Sequence, residues 1–364
     1  MIPFISSKQN LVAPPLVTLF SSASASHAFG LSAEGLLYAT GKNNGYHLGI
    51  GHDMSINEWR PISLYGVKQV ACGGGFTLAV KKNGELWGCG QNNYGQLGLP
   101  LSTIEIPVWV KLRDDVQYAA AGRGHSMIIT NTGELLACGD NRKGQLGTGD
   151  LINRSEWTKV LDSVIDVSCG DSHTGCIIKN EYGTSGLVTG DNTYFQLGMP
   201  FVMEGEFTVV LNASPSNVSC GSRHTLFATS DGKCFGCGDN RMGQVGMVSN
   251  EEYIKSLSLQ PNLKDVKSVY GGGSYSLLIK TDGTLLATGD NSVGQLGLGK
   301  SLPKTNQFVI LAAIPETTTT VAAGSTTSYC STSNVTYATG DNYIGQIGNG
   351  NNTDIFEWTQ IILG

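Results

Sequence analysis

The chain of 364 residues carries a net charge of −6 at pH 7, and only 14% of its residues are charged. Hydrophobic residues make up 40% of the chain, which is enough for a large buried core and argues against intrinsic disorder. The acidic balance and the lack of any Lys/Arg run argue against direct binding of DNA or RNA.

The N-terminal segment does not resemble a signal peptide, because its apolar stretch is interrupted by polar residues and by Pro14-Pro15. No apolar run reaches the length of about 18 residues that a membrane span needs, so we expect no membrane insertion. The chain has nine cysteines, an odd number, which favours free thiols over a disulfide framework. We therefore expect an intracellular protein, cytoplasmic or nuclear.

The strongest pattern is a nine-residue motif that recurs along the chain with a period of about 50 residues. Most copies open with Gly-Asp-Asn and close with Gly-Gln-Leu-Gly, and we call this motif the repeat loop. Seven copies at nearly constant spacing indicate a repeat architecture. The copies are GKNNGYHLG at 41–49, GQNNYGQLG at 90–98, GDNRKGQLG at 139–147, GDNTYFQLG at 190–198, GDNRMGQVG at 238–246, GDNSVGQLG at 289–297 and GDNYIGQIG at 340–348.

A second motif, Gly-x-x-His followed by Ser or Thr, precedes the repeat loop and is clearest at 122–126, 170–174 and 221–225. Asn-Gly, Thr-Gly or Asp-Gly pairs between apolar runs separate the two motifs and predict β-hairpins. A further apolar strand follows each repeat loop. About four strands per repeat, without helical periodicity, predict an all-β seven-bladed β-propeller with four antiparallel strands per blade.

The two ends of the chain complement each other. Residues 356–364 resemble the first strand of a repeat, and residues 16–49 resemble the other three. We expect one blade built from both ends, which would close the ring and hide two strand edges, and a single domain over residues 1–364. The predicted closing blade is 16–49 plus 355–363, and the other predicted blades are 57–98, 106–147, 155–198, 206–246, 252–297 and 307–348.

The acidic position of the repeat loop allows two interpretations. Its carboxylates could form a ring of metal ligands, or each could bond to nearby backbone N–H groups and shape its own turn. Lys42 and Gln91 occupy the same position in two copies, which favours the turn. The acidic copies are Asp140, Asp191, Asp239, Asp290 and Asp341.

The histidines of the second motif also allow two interpretations. His125, His173 and His224 could bind zinc if they converged, but equivalent residues of successive blades are spread around an axis. We therefore favour packing and hydrogen bonding. The lone Cys-x-x-Cys of Cys234 and Cys237 has no second pair at zinc-ribbon spacing, and the recurring Cys and Trp positions are expected to be packing positions. We expect no metal, no cofactor and no catalytic residues.

The two motifs, about 14 residues apart, resemble the regulator of chromosome condensation repeat, and the resemblance covers residues 16 to 363. It implies a seven-bladed propeller used mainly as a protein-binding platform. The namesake of the family is the nucleotide-exchange factor for the GTPase Ran, and another member is a plant ultraviolet-B photoreceptor. The photoreceptor activity would need tryptophans in the Gly-x-x-His turns, and these turns lack them here.

The resemblance implies that one face of the propeller presses on the GTPase and stabilises its nucleotide-free state without side-chain chemistry. Asp171 matches an acidic turn position of that face, whereas Arg223 stands where an acid is expected. We expect a monomer that binds a protein, with a Ran- or Rho-type small GTPase as the leading partner and nucleotide exchange as the leading activity. The alternative is a scaffold or inhibitor without exchange activity.

We expect the partner to contact exposed residues of the turns and loops, and the least repetitive loops, 180–186 and 199–207, to contribute specificity. The residues predicted to contact the partner are Asp171, Arg223, Arg123, Arg142, Lys143, Glu204 and Glu206.

Overall fold

The computed structural model describes residues 16–200, 205–249, 251–314 and 317–362. These residues form seven four-stranded antiparallel sheets, which are the blades of a β-propeller. The predicted fold class is confirmed. None of the described residues forms a helix that could span a membrane.

Each blade is built from four strands that follow one another in the chain. Blade 1 contains β1 (Leu16–Phe20), β2 (His27–Ser32), β3 (Leu37–Gly41) and β4 (Ile56–Ile62). Blade 2 contains β5 (Val67–Cys72), β6 (Phe76–Lys81), β7 (Leu86–Gln91) and β8 (Glu105–Arg113). Blade 3 contains β9 (Val116–Ala121), β10 (His125–Thr130), β11 (Leu135–Gly139) and β12 (Arg154–Leu161). Blade 4 contains β13 (Val164–Cys169), β14 (His173–Asn180), β15 (Gly183–Gly190) and β16 (Thr208–Leu211). Blade 5 contains β17 (Pro215–Cys220), β18 (His224–Thr229), β19 (Cys234–Asp239) and β20 (Tyr253–Leu259). Blade 6 contains β21 (Val266–Gly271), β22 (Tyr275–Lys280), β23 (Leu285–Asp290) and β24 (Lys304–Ile310). Blade 7 contains β25 (Thr320–Ala323), β26 (Thr327–Ser331), β27 (Thr336–Gly340) and β28 (Ile355–Ile361).

The predicted closing blade is wrong. The last strand, β28, pairs with β27, its predecessor in the chain, and the first strand, β1, pairs with β2. The other predicted blade boundaries are displaced by one strand for the same reason. The repeat loop turns the chain back antiparallel onto the strand that it has just left, as in the pairing of Gly139 with Arg154 and of Leu135 with Leu161. Each fourth strand therefore belongs to the blade before it and not to the next one.

The ring closes between blades 7 and 1 through side-by-side contacts. The N–H of Gly350 donates to the carbonyl of Asn57 at 2.7 Å, and the indole Nε1 of Trp59 donates to the carbonyl of Ile347 at 3.0 Å. Nearer the axis, the hydroxyl of Ser331 donates to the carbonyl of Leu16 at 2.7 Å. These contacts join the two ends of the chain without a shared sheet.

The first strand of every blade lines a central cavity of about 300 Å³, and the fourth strand lies at the periphery. Apolar side chains fill the spaces between blades. One such cluster joins Phe29 and Leu37 of blade 1 to Val70 and Ala79 of blade 2. The hydrophobic core of this fold is therefore distributed between adjacent sheets.

Antiparallel strand order separates the connections into two faces. The Gly-x-x-His turns, between first and second strands, and the repeat loops, between third and fourth strands, lie on one face, which we call the upper face. The hairpins between second and third strands lie on the lower face. Their turn glycines, such as Gly84 and Gly133, have φ near +85° and +82°, as the predicted hairpin turns require.

Replacing Trp59 tests the ring closure. The Trp59 side chain is buried against Tyr329 and Ile347 of blade 7, so Trp59→Ala should lower the free energy of unfolding by about 3–5 kcal/mol. The matched control is Tyr182→Ala, since Tyr182 is 89% exposed at a lower-face hairpin. Urea denaturation followed by fluorescence measures both. Equal midpoints for the two variants would contradict closure through this contact.

Candidate protein-binding face

The Asn of each repeat loop is the residue that holds the loop together. In the third copy, the side-chain oxygen of Asn141 accepts a hydrogen bond from the N–H of Leu146 at 2.9 Å, and its Nδ2 donates to the carbonyl of Asp150 at 2.8 Å. Asn141 is fully buried. The bond to the residue five positions later recurs in all seven copies, through Asn43, Asn92, Asn141, Asn192, Asn240, Asn291 and Asn342.

The Asp of the repeat loop shapes its own turn, as predicted. In all five acidic copies, a carboxylate oxygen accepts a hydrogen bond from the N–H two residues later. Burial opposes ionisation of Asp140, but hydrogen bonds from Arg142 outweigh it and hold the pKa of Asp140 below its usual value. Each carboxylate is thus engaged within its own loop, which leaves the metal-ring interpretation without support.

The histidines of the second motif link neighbouring blades. The Nε2 of His125 lies 3.0 Å from the hydroxyl of Thr174 in the next blade, and that hydroxyl donates to the carbonyl of Gln145 at 2.8 Å. Because the hydroxyl proton goes to the carbonyl, Nε2–H donates to the hydroxyl oxygen and Nδ1 is left without a partner. The predicted packing and hydrogen-bonding role is confirmed. The same link recurs as His27–Thr77, His173–Thr225 and His224–Ser276.

Burial keeps these imidazoles neutral. It lowers the pKa of His125 and His224 to about 3 and that of His173 to about 4. A protonated Nδ1 would be an unpaired charge in an apolar environment.

The recurring Cys and Trp positions also join blades. The thiol of Cys138 and the hydroxyl of Thr189 occupy equivalent positions and contact carbonyls of the preceding repeat loop. Cys234 and Cys237 are buried and free, and burial raises the pKa of the Cys234 thiol to about 12, so this thiol is not a nucleophile at neutral pH. Trp358 packs over the last glycine of the preceding repeat loop, Gly297. These are the packing roles that the sequence predicts.

The structure brings most of the predicted partner-contacting residues together on the upper face of blades 3 to 5. Arg123, Asp171 and Arg223 lie in the Gly-x-x-His turns, and Arg142 and Lys143 lie in the repeat loop of blade 3. All of these except the half-buried Asp171 are exposed.

The two least repetitive loops lie apart from each other. Glu206 is exposed. The carbonyl of its neighbour Gly205 accepts a hydrogen bond from the N–H of Gly149 in the blade 3 loop. Glu204 lies outside the described residues. Residues 180–186 include the hairpin between β14 and β15, on the lower face. A partner seated on the upper face would therefore not contact this hairpin.

An arch formed by residues 21–26 crosses the mouth of the central cavity. It connects β1 to β2 with six residues, whereas residues 122–124 make the equivalent turn of blade 3. The hydroxyl of Ser24 donates to the carboxylate of Asp171 at 2.7 Å, and that of Ser222 donates to the carbonyl of Ala23 at 3.3 Å. One carboxylate oxygen of Asp171 is therefore already hydrogen-bonded to the arch. The longer serine-rich spacing before His27 is the signal in the sequence that could have revealed it.

Sequence reasoning missed the aromatic residues beneath the exposed arginines. The guanidinium of Arg142 lies over the ring of Tyr94 at 4.8 Å, and that of Arg223 lies over the ring of Tyr194 at 4.4 Å. Arg241 lies over the same Tyr194 ring at 5.3 Å. Each pair joins two neighbouring blades, so single-repeat motifs do not show it.

The seven blades and their recurring loops define a repeat β-propeller. Models of the regulator of chromosome condensation (RCC1) repeat match residues 34–80, 83–129 and 132–177 in one form and residues 67–96, 116–145, 216–244 and 266–295 in another. The chain belongs to the regulator of chromosome condensation repeat family.

Two proteins are similar to this chain in sequence, and one solved structure is similar to it in fold. The chain is 29% identical over 306 residues to the ultraviolet-B receptor UVR8 of Arabidopsis thaliana, covering 79% of this chain and 68% of the receptor. It is 38% identical over 236 residues to the human X-linked retinitis pigmentosa GTPase regulator, covering 61% of this chain but only 23% of that protein. Prp20p of Saccharomyces cerevisiae has a similar fold, with a TM-score of 0.79 at 20% identity over 89% of this chain and 85% of Prp20p.

Comparing Asp140 with Asn141 tests which of the two residues holds the repeat loop. Asn141→Ala leaves several buried backbone groups without partners and should lower the free energy of unfolding by about 2–4 kcal/mol. Asp140→Ala removes a bond to a largely exposed arginine and should cost less than about 1 kcal/mol. Urea denaturation measures both, and a larger loss for Asp140→Ala would reverse the assignment.

The blade-linking histidines predict a loss of stability in acid. Their folded pKa values lie below the unfolded value of about 6.5, so the unfolded state binds more protons, and stability falls as pH drops from about 6.5 towards 4. His173→Phe introduces the residue found at the equivalent position of blade 2, Phe76. The variant should reduce the pH slope of the unfolding free energy by up to about 1.4 kcal/mol per pH unit. Above pH 7, the unfolding free energies of wild type and variant should have the same pH slope, which is the control. The same slope for both proteins between pH 6 and 4 would contradict this role of His173.

Proposed function

We propose that this chain is a non-enzymatic binding propeller whose upper face engages a small GTPase and accelerates release of its nucleotide. The observation that carries the proposal is the exposed set of charged residues on the upper face of blades 3 to 5, built on turns and loops that are rigidly bonded beneath. Such a surface stabilises whichever partner conformation fits it best, and no proton transfer or covalent chemistry is needed.

The comparisons support this proposal at the level of the family. One relative is itself named a GTPase regulator, and the binding of Prp20p to Gsp1p and to histones has been characterised along with its structure. Ran- and Rho-type GTPases are therefore the first partners to test.

A scaffold or inhibitor without exchange activity is the second candidate, and one structural observation favours it. Asp171, which matches an acidic position of the exchange face, is hydrogen-bonded to the arch through Ser24. Arg223 replaces an acid in the next turn. A partner would therefore meet a more basic surface than the resemblance implies.

Nucleotide release separates the two candidates. Ran- and Rho-type GTPases loaded with fluorescent GDP are mixed with the full chain at micromolar concentration. We expect faster release with at least one GTPase, and we expect Arg223→Glu to slow that release about tenfold because it reverses a charge at the centre of the face. Lys82→Glu, an equal charge reversal at an exposed lower-face hairpin, is the matched control. No acceleration with any GTPase, together with specific retention of a different protein, would favour the scaffold.

A further inference from the structure

Two copies of one arrangement stand out on the upper face. In blade 3, the Arg142 guanidinium bonds to both carboxylate oxygens of Asp140, at 2.8 and 3.0 Å. In blade 5, Arg241 bonds in the same way to Asp239, at 2.9 and 2.6 Å. Each arginine also lies over a tyrosine from the preceding blade. The three positions correspond between the two copies, and we call them the Arg–Tyr units: Tyr94–Asp140–Arg142 and Tyr194–Asp239–Arg241.

Each unit presents its arginine outward and holds its acid inward. The Arg142 and Arg241 side chains are 63% and 41% exposed, whereas those of Asp140 and Asp239 are 12% and 6% exposed. The carboxylate uses Nε–H and one N–H of Nη2, so three N–H groups of each guanidinium are not bonded to it. The hydroxyl of Tyr94 also interacts with the guanidinium of Arg142. The ring below and the acid beside it fix the guanidinium plane, so little side-chain entropy is lost when a ligand binds.

A second arginine accompanies each unit. Arg223 lies over Tyr194 from the turn of blade 5, and the exposed Arg123 precedes Gly124, where a side chain would contact Tyr94. Neither Arg123 nor Arg223 forms an ion pair with an acid in the described part of the chain. The upper face of blade 3 therefore carries more basic than acidic side chains. In blade 5, the loop that holds Arg241 also carries the exposed Glu251 and Glu252.

Blade 4, between the two units, has the opposite character. Its repeat loop contributes Asp191 and its turn contributes Asp171, both half-buried at the upper face. Lys143 approaches Asp191 only to 3.9 Å. The two Arg–Tyr units thus lie on either side of a blade whose turn and repeat loop each contribute an acid.

We propose that the two Arg–Tyr units form a bipartite site for an acidic segment of a protein partner, one whose carboxylates fall in two groups separated by neutral or basic residues. This inference rests on the proposed function, because it assumes that the upper face is the binding face. Carboxylates suit the free guanidinium N–H groups, which bind planar oxyanions through paired hydrogen bonds. A nucleic acid fits less well, since its continuous phosphate backbone would cross the carboxylates of blade 4.

The test uses labelled peptides and the full chain. A peptide of about 20 residues, which extends to roughly 70 Å, carries glutamates at both ends and Gly-Ser in the middle. A second peptide carries glutamates at one end only. Fluorescence anisotropy should show that the two-block peptide binds at least about tenfold more tightly, because the second contact is intramolecular. Equal affinities would overturn the bipartite site.

Three paired variants locate the binding. Arg142→Gln with Arg241→Gln should weaken the two-block peptide by about tenfold or more. Arg142→Lys with Arg241→Lys keeps the charge but loses the planar donors, so it should also weaken binding. Lys82→Gln with Lys267→Gln removes the same charge from exposed residues near the lower face and should leave binding unchanged. Urea midpoints establish that each variant is folded. If the Lys variant bound the two-block peptide as tightly as the wild type, positive charge alone would explain the binding. That result would contradict recognition by paired hydrogen bonds from the planar guanidinium.

Two further outcomes separate this inference from the proposed function. A single-stranded oligonucleotide that binds more tightly than the two-block peptide, and loses affinity in the Gln variant, would replace the acidic segment with nucleic acid and overturn the inference. If the wild type accelerates nucleotide release from a GTPase and the Gln variant does so equally well, the proposed function stands and the Arg–Tyr units are not its contact site.

Discussion

The interaction on which the rest of the structure depends is the hydrogen bond from a second-strand hydroxyl to a carbonyl of the preceding repeat loop. Thr174, Thr225, Ser276 and Ser328 donate such bonds to the Gln position of the blade before. A repeat loop thus belongs to one blade and is completed by the next. In these four pairs the next blade satisfies the loop carbonyl, so a ring of blades pairs groups that a single blade would leave unpaired. In blade 7, the hydroxyl of Tyr329 donates to the carbonyl of Gln346 from within the same blade.

This constraint explains how the upper face divides its residues between structure and recognition. The Asn, Gln, Leu and final Gly of each loop are buried or bonded inward. The fourth position is exposed in every copy, whereas the fifth ranges from the buried Gly45 to the exposed Lys143. Both positions vary from copy to copy, and they include Arg142, Lys143, Arg241 and Tyr194. Residues at these positions can therefore change without disturbing the hydrogen bonds that join the blades. The distinctive surface of blades 3 to 5 follows from which residues occupy them.

Much of the fold can be predicted from the sequence because the repeat is strict. The spacing of the repeat loop gives the blade number, and the substitution of Asp140 by Lys42 and Gln91 in other copies indicates a turn-forming role. The assignment of strands to blades could not be obtained in this way. A period of 50 residues is the same wherever the repeat is cut, and only the pairing of β28 with β27 shows that each fourth strand belongs to the blade before it. The Arg–Tyr contacts and the contact of Ser24 with Asp171 join residues 47 to 147 positions apart, so they depend on ring geometry that a linear motif does not contain.

We propose that partners bind the upper face of blades 3 to 5. Hydrogen exchange of the full chain, measured alone and bound to the GTPase or other protein that it retains, tests this claim most directly. Binding there should slow exchange in the repeat loops at 139–147 and 238–246 and in the turn at 221–224. The lower-face hairpins, including 180–186, should exchange at unchanged rates. Protection confined to those hairpins, with the upper loops unchanged, would contradict the claim.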